Sequence, residues 1–363
     1  KPKIQMTLPN DLLETLVKRK ESPQANKVWP VTTFSLARNL SVSKFLPCLS
    51  KEQKLEILQF ITSHFNHIEG FGEFIVLPLK DTPLWQKEFL LEHFLLPYDL
   101  VGNPEGEALV VSRSGDFLAA INFQDHLVLH GIDFQGNVEK TLDQLVQLDS
   151  YLHSKLSFAF SSEFGFLTTN PKNCGTGLKS QCFLHIPALL YSKEFTNLID
   201  EEVEIITSSL LLGVTGFPGN IVVLSNRCSL GLTEELLLSS LRITASKLSV
   251  AEVAAKKRLS EENSGDLKNL ILRSLGLLTH SCQLELKETL DALSWIQLGI
   301  DLGLIKVTEN HPLWNPLFWQ IRRAHLALQK QAEDSRDLQK DTISHLRASV
   351  LKELTKGLSP ESF

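Results

Sequence analysis

The sequence predicts a mixed α+β domain over about residues 28–258, followed by a helical domain over 259–356. Three observations carry this. Short apolar, β-rich runs such as Phe74–Leu77 and Ala108–Val111 are bounded by Gly, Pro and polar residues, the pattern of strands. Segments with apolar residues at three- to four-residue steps are interleaved with them, the pattern of helices. The strand-like runs stop at the polar stretch Ser260-Glu261-Glu262-Asn263-Ser264-Gly265, beyond which the chain reads as almost all helix.

The elements follow in order. Residues 1–27 read as a polar, helical N-terminal extension, with Leu12, Leu13, Leu16 and Val17 at helical spacing before Pro23 and a polar run break the pattern. Lys51–His67 reads as an amphipathic helix with Leu55, Leu58, Ile61 and Phe65 on one face and Ser50 as its cap. Asp116–Asn122 and His126–His130 read as a hairpin-like pair. Val138–Leu156 is helical, and Phe166–Thr168, Val203–Leu212 and Asn220–Leu224 are further strands. Thr233–Lys257 is a long helix. The second domain should hold helices at Leu267–Leu277, Leu284–Gly299, Trp319–Glu333 and Asp341–Lys356, and 357–363 is a tail.

Composition excludes several function classes. With 43% hydrophobic and 21% charged residues, the 363-residue chain is neither disordered nor fibrous. Its longest apolar stretch, Leu210–Leu224, is interrupted by three glycines, Pro218 and Asn220, and falls short of the ~18 apolar residues of a membrane helix. A net charge of −6 lacks the basic excess of a nucleic-acid binder. Five widely spaced cysteines form no C-x-x-C pair, so reduced thiols in the cytoplasm are the simplest reading. His280 and Cys282 are two potential metal ligands without a second pair, and no metal site is expected. No secretory-signal pattern opens the sequence, and a start at Lys1 rather than Met suggests that a few native residues precede it.

The common nucleotide and hydrolase motifs are absent: no G-x-x-x-x-G-K-[ST], no G-x-G-x-x-G after a strand, no G-x-S-x-G, no H-E-x-x-H. A less generic set is present. Gly165-Phe166-Leu167-Thr168-Thr169-Asn170-Pro171-Lys172-Asn173-Cys174-Gly175-Thr176-Gly177 resembles the G-Y-L-T-x-C-P-T-N-x-G-T-G signature loop of the phosphagen (guanidino) kinases. Leu184-His185-Ile186-Pro187-Ala188-Leu189, which follows, is similar to the bacterial protein-arginine kinases in particular. Ser35-Leu36-Ala37-Arg38-Asn39 resembles the end of their S-S-R-x-R-L-A-R-N segment, and Asn122–Leu127 their N-E-E-D-H-[IL]. Gly219–Ile221, Ser225-Asn226, Leu230-Gly231 and Leu298–Ile305 continue the likeness, which runs in order from about Trp29 to Ala324. The resemblance implies a phosphagen-kinase-like fold, an antiparallel sheet flanked by helices with a helical C-terminal domain. It also implies ATP-dependent phosphoryl transfer to a guanidinium.

Carried over residue by residue, the resemblance implies losses at the chemical positions. The first two phosphate-binding arginines fall on Thr33 and Ser35, with Arg38 kept; the others fall on Val128, on Lys179 and near Leu212. The catalytic glutamate falls on Gln124 and the loop cysteine on Asn170, while Cys174 lies four residues further on. The acidic loop is shortened to Gly216-Phe217-Pro218-Gly219. His93 matches a histidine near the nucleotide, beside the bland alternative of a packed histidine. In the helical domain, the phosphoarginine pocket motif R-D-x-x-R-A becomes Trp319-Gln320-Ile321-Arg322-Arg323-Ala324, so the first arginine is Trp319, the aspartate is Gln320 and Arg323 remains. Trp314, Phe318 and Trp319 read either as core anchors or as a partner-binding patch. A charge-assisted hydrogen bond is worth roughly 1.5–3 kcal/mol, so four lost arginines weaken phosphate binding by about 6 kcal/mol, or some ~10⁴-fold. Loss of a general base costs a further ~10²–10⁴-fold in rate.

The expectation is therefore a degenerate protein-arginine kinase homologue that acts through protein contacts, with no certain cofactor. By analogy with the family, its partners would be a zinc-binding activator protein, a Clp-type chaperone-protease and a second copy of itself. The alternative is an active kinase using Mg-ATP in a site rebuilt around Lys179, His93 and Asp125.

Overall fold

The computed structural model describes residues 3–18, 27–98, 105–199, 204–211, 213–262, 264–307, 318–329 and 339–361. Its strands are β1 Lys3–Ile4, β2 Val31–Arg38, β3 Phe74–Pro78, β4 Ala108–Ser112, β5 Phe117–Ile121, β6 Leu127–Asp133, β7 Phe160–Ser161, β8 Gly165–Phe166, β9 Leu178–His185, β10 Ile205–Ser209, β11 Ile221–Asn226, β12 Ile305–Val307 and β13 Leu358–Pro360. Its helices are α1 Asn10–Lys18, α2 Lys51–Thr62, α3 Leu84–His93, α4 Val138–His153, α5 Pro187–Tyr191, α6 Phe195–Ile199, α7 Glu234–Glu262, α8 Gly265–His280, α9 Leu286–Asp301, α10 Arg323–Gln329 and α11 Lys340–Thr355. One nine-stranded sheet has the order β1-β3-β4-β5-β6-β2-β9-β11-β10. The pairs β2–β6, β3–β4, β4–β5 and β5–β6 are antiparallel, and β1 joins β3 in parallel.

The chain divides into two compact units. The first comprises residues 1–22, 31–182 and 225–241; the second comprises 23–30, 183–224 and 242–363. In the first, β4, β5 and β6 are buried along their whole length, which explains their continuous apolar sequence. α4 packs on β6 and β2 through Leu145, Leu148 and Leu152. The N-terminal segment is part of this unit: Leu12, Leu13 and Leu16 of α1 are buried. In the second unit, α8 packs on α9 and α11 around Ile271, Leu278, Leu290 and Leu351. The segment after α11 is not a loose tail there, because β13 pairs antiparallel with β12.

The local signals hold where chemistry is local. Ser50 caps α2 in a capping box with Gln53, as its position before the periodic run suggested. That helix stops at Thr62, however, and its inner face is Ile57 and Ile61 while Leu55 is exposed. Phe65 reaches the core from the turn beyond the helix, which is why it mimicked a helical repeat. The helix expected from Trp319 is broken by a turn at Ile321-Arg322 before α10 begins, and residues 330–333 lie outside the described residues. On α11 the buried face is Ile343, Arg347 and Leu351, leaving Leu346, Val350 and Leu354 half-buried at its flank.

Candidate functional site

Strand β2 decides where the first candidate residues lie. Side chains alternate across a strand, so Thr33, Ser35 and Ala37 share one face and Phe34, Leu36 and Arg38 the other. In the β2–β6 register Thr33 faces Ile132, Ser35 faces His130 and Ala37 faces Val128. Directly paired residues share a face, so the fold gathers Thr33, Ser35, Val128 and His130 on one patch of the sheet. Three of the positions that the resemblance assigns to phosphate-binding arginines thus come together. None of the three carries a charge.

A neutral hydrogen-bonded chain crosses that patch. Ser35 Oγ lies 2.7 Å from His130 Nδ1, and His130 Nε2 lies 2.8 Å from the Tyr98 hydroxyl. Tyr98 in turn rests on the Phe123 ring at 4.7 Å. Burial lowers the His130 pKa to about 3, so the imidazole is uncharged at neutral pH. Burial, and secondarily Asp125, raises that of Tyr98. His130 and Tyr98 escaped the sequence reading. The signal for His130 was its place two residues after Val128, on the same strand face.

Arg38, on the opposite face, is fully engaged. Its Nε and Nη2 donate to the two Asp149 oxygens at 3.0 and 2.8 Å, and Nη1 donates to the carbonyls of Ala37 and Thr176. The guanidinium also lies 3.7 Å from the Phe166 ring centre. At 2% exposure it ties β2, α4 and the signature loop together rather than facing a ligand. Gly177 permits this: with φ +70, a Cβ there would stand 2.6 Å from Arg38 Nη1 and 2.7 Å from the Ala37 carbonyl.

The turn between β5 and β6 separates scaffold from chemistry. Asn122 adopts φ +62 and donates through Nδ2 to the carbonyls of Lys54 and Gly106. Buried Asp125 accepts from Asn39 Nδ2 at 2.6 Å and from the Thr169 amide at 2.7 Å. His126 Nδ1 accepts from the Leu40 amide while Nε2 faces the Lys44 carbonyl at 2.9 Å, which fixes the neutral Nε2–H tautomer. Burial is also the main cause of its lowered pKa. Gln124, between these anchors, is exposed. In the signature loop, Asn170 is exposed and accepts from the Lys172 amide, capping the turn at Pro171–Asn173. Cys174 Sγ lies 3.6 Å from Thr168 Oγ1. Lys179, on β9, has an exposed side chain, yet the protein around it lowers its pKa.

The remaining candidates lie elsewhere. His93 has no exposed surface; its Nε2 is 3.3 Å from the Gly115 carbonyl and its ring packs among Phe89, Phe94 and Phe134. Leu212 and Trp314 lie outside the described residues. Trp319 is buried against Phe318 and Gln320 is half-buried. Arg323 is exposed and lines a cavity of roughly 520 Å³ with Glu285, Lys340, Ile343 and Arg347. Among the described residues no group of three or more His, Cys, Asp or Glu side chains is placed to hold a metal ion, and no helix is long and apolar enough to cross a membrane.

Comparison with known proteins matches this arrangement. The family model of the ATP:guanido phosphotransferase C-terminal catalytic domain matches residues 56–255. That of the protein-arginine kinase McsB C-terminal domain matches residues 264–363. A protein-arginine kinase of Chlamydia muridarum is 52% identical over 95% of this chain and 97% of its own. One from Bacillus subtilis is 28% identical over 82% of each chain. Among solved structures, lombricine kinase superposes with a TM-score of 0.57 at 18% identity, covering 66% of this chain and 70% of that one. The duplicated taurocyamine kinase from Schistosoma mansoni gives 0.59 at 21% identity, over 63% of this chain and 33% of its own. These two likenesses establish the phosphagen-kinase fold.

Proposed function

The chain belongs to the ATP:guanido phosphotransferase family, among its protein-arginine kinases, and from that premise we propose that it is a member with little or no arginine phosphorylation. It acts instead through protein contacts, in the control of stress responses and proteolysis in the cytoplasm. One observation carries the reading: the patch of β2 and β6 where three phosphate arginines would gather holds Thr33, Ser35 and Val128, spanned by a neutral Ser35–His130–Tyr98 chain. Phosphoryl transfer is catalysed mainly by positioning and by charge placed against the moving phosphoryl group. Neutral side chains cannot neutralise a polyphosphate, and Arg38 has its donors committed to Asp149 and two carbonyls. These residues do not fit Mg-ATP. A guanidinium must also lose a proton to become a nucleophile, and the exposed amide of Gln124 is no base.

The partners that family analogy supplies are a zinc-binding activator protein, a Clp-type chaperone-protease and a second copy of the chain. The helical C-terminal region is the proposed contact surface, since the pocket motif there has lost its carboxylate at Gln320 and leaves Arg323 exposed. A second reading, an active kinase with a rebuilt site, draws on one specific observation: the 52% identical relative is itself named a protein-arginine kinase. Calorimetry with Mg-ATP separates the two. The proposal expects no saturable heat of binding; a low-micromolar dissociation constant favours the rebuilt kinase.

A further inference from the structure

We propose that Ser35 is a nucleophile and Lys179 its general base, a pair that accepts the acyl group of a small uncharged ester. Both stand on the sheet face that carries the Ser35–His130–Tyr98 chain. β9 lies beside β2, on the edge of that strand away from β6. Two contacts fix its alignment: the Ala37 amide donates to the Gly177 carbonyl at 3.0 Å, and Thr32 Oγ1 lies 4.0 Å from Cys182 Sγ. Residue numbers fall along β9 as they rise along β2, so Ser35 comes level with Lys179. Level residues of neighbouring strands share a face, with Cβ atoms about 5 Å apart. Exposure agrees: Ser35 is half-buried between buried neighbours on β2, and Lys179 is exposed between buried Leu178 and Ser180.

Hydrogen bonding leaves the serine proton to the lysine. Burial keeps the Tyr98 hydroxyl protonated and His130 neutral. The chain then runs from the Tyr98 O–H to His130 Nε2 at 2.8 Å, and from the His130 Nδ1–H to Ser35 Oγ at 2.7 Å. In that direction Ser35 Oγ accepts, its own proton is free, and Lys179 on the next strand is placed to take it. Lys179 has no ion pair or hydrogen bond among the described residues. The protein around it lowers its pKa, with no neighbouring charge acting against that. A lysine so placed gives up its proton more readily than one in water, which is the basis of the Ser–Lys variants of the catalytic triad.

The surroundings choose the ester. Thr33 and Val128 on the same face, and Tyr98 with Phe123 packed against it, carry no charge. A short acyl group and an aryl leaving group meet hydroxyls and rings of matching polarity there. In the reaction Ser35 Oγ bonds to the carbonyl carbon as Lys179 Nζ takes the serine proton. The bond to the leaving oxygen then breaks, and that oxygen takes the proton from Lys179. Water attacks the acyl-serine by the same route, so ester and water give acid and alcohol and both side chains are restored. This activity does not rest on the loss of phosphoryl transfer.

The test uses the full chain and an alkyl fluorophosphonate, which a serine nucleophile attacks with loss of fluoride. Intact mass and peptide mapping locate the adduct, hydrolysis of p-nitrophenyl acetate gives the turnover, and circular dichroism verifies the fold of each variant. We expect the adduct on Ser35 and none on the Ser35→Ala chain. Lys179→Arg keeps the charge but cannot act as a base, so labelling and ester turnover should both fall about 100-fold. Lys172→Arg, outside the pair, should change neither. A chain that takes no adduct, an adduct at any residue other than Ser35, or labelling that Lys179→Arg leaves at the unmodified rate overturns the proposal.

Discussion

Asn122, Asp125 and His126 are spent on holding backbone, while Gln124 between them, the position to which the resemblance assigns a catalytic glutamate, is exposed. The same division appears at Arg38, which is retained and buried, and at Thr33 and Ser35, which are not arginines. On the proposed reading, residues that specify the fold persist and residues that served only chemistry do not. Two outcomes follow at this scale. Arg38→Ala would leave Asp149 as an uncompensated, largely buried charge, so stability should fall by roughly 3–5 kcal/mol in urea unfolding. His130 has its folded pKa lowered from 6.5 to about 3, so the unfolded chain binds one more proton between those values. The stability it contributes is present above pH 6.5 and is lost as pH falls toward 3. The chain should therefore lose about 1.4 kcal/mol per pH unit from this group below pH 6, and His130→Gln should flatten that slope in urea titrations at pH 7.5 and 5. An unchanged slope would mean that His130 is not buried neutral. The sequence held the identity of each of these residues but not their pairing: that Ser35 meets His130 depends on the register of strands some 95 residues apart, which no local pattern encodes.

Elements show what was legible and why. The capping box of α2, the β5–β6 hairpin and the long α7 were readable because their determinants are local: a cap, alternating apolar runs and a sustained helical period. The errors came where tertiary packing overrode period. Leu55 obeyed the spacing of α2 yet faces out, and Leu346 and Val350 flank rather than form the buried face of α11. The signature loop is the informative case. Its strand was expected over Phe166–Thr168, but β8 ends at Phe166 because Gly165 and Gly175 bring the loop back on itself. A Cβ at Gly175 would lie 2.6 Å from the Ser229 carbonyl. Gly177→Ala should accordingly lower the melting temperature by several degrees, since both its positive φ and its contact with Ala37 resist a side chain. Melting followed by circular dichroism checks this, and an unchanged midpoint would mean that the loop adapts freely. At the level of the sheet, Thr33→Arg with Ser35→Arg and Val128→Arg should raise nucleotide affinity at most. Gln124, Asn170 and the shortened Gly216-Phe217-Pro218-Gly219 loop would still be in place, so phosphoarginine formation by the triple variant would refute this ordering of the losses.

For the whole molecule, fold and family were written in long-range order: motifs in sequence from Trp29 to Ala324 carried the phosphagen-kinase fold, which the structural neighbours share. Activity is a separate matter, because a fold constrains where a site lies and not whether its charges remain. If the chain works through contacts made by its helical region, Leu346→Asp with Val350→Asp should reduce capture of a protein partner while circular dichroism stays unchanged, and changes at Thr33 or Ser35 should not; the reverse pattern would put the contact surface in the first unit. The central claim, that the family reaction has been lost, is met most directly by one assay. The full chain is incubated with Mg-ATP and a casein-like protein, and arginine phosphorylation is read by mass spectrometry under conditions that preserve the phosphoramidate, with a protein-arginine kinase relative run alongside. The account predicts phosphoarginine from the relative and none above background from this chain. Phosphoarginine formed by this chain at a rate comparable to the relative's would contradict it.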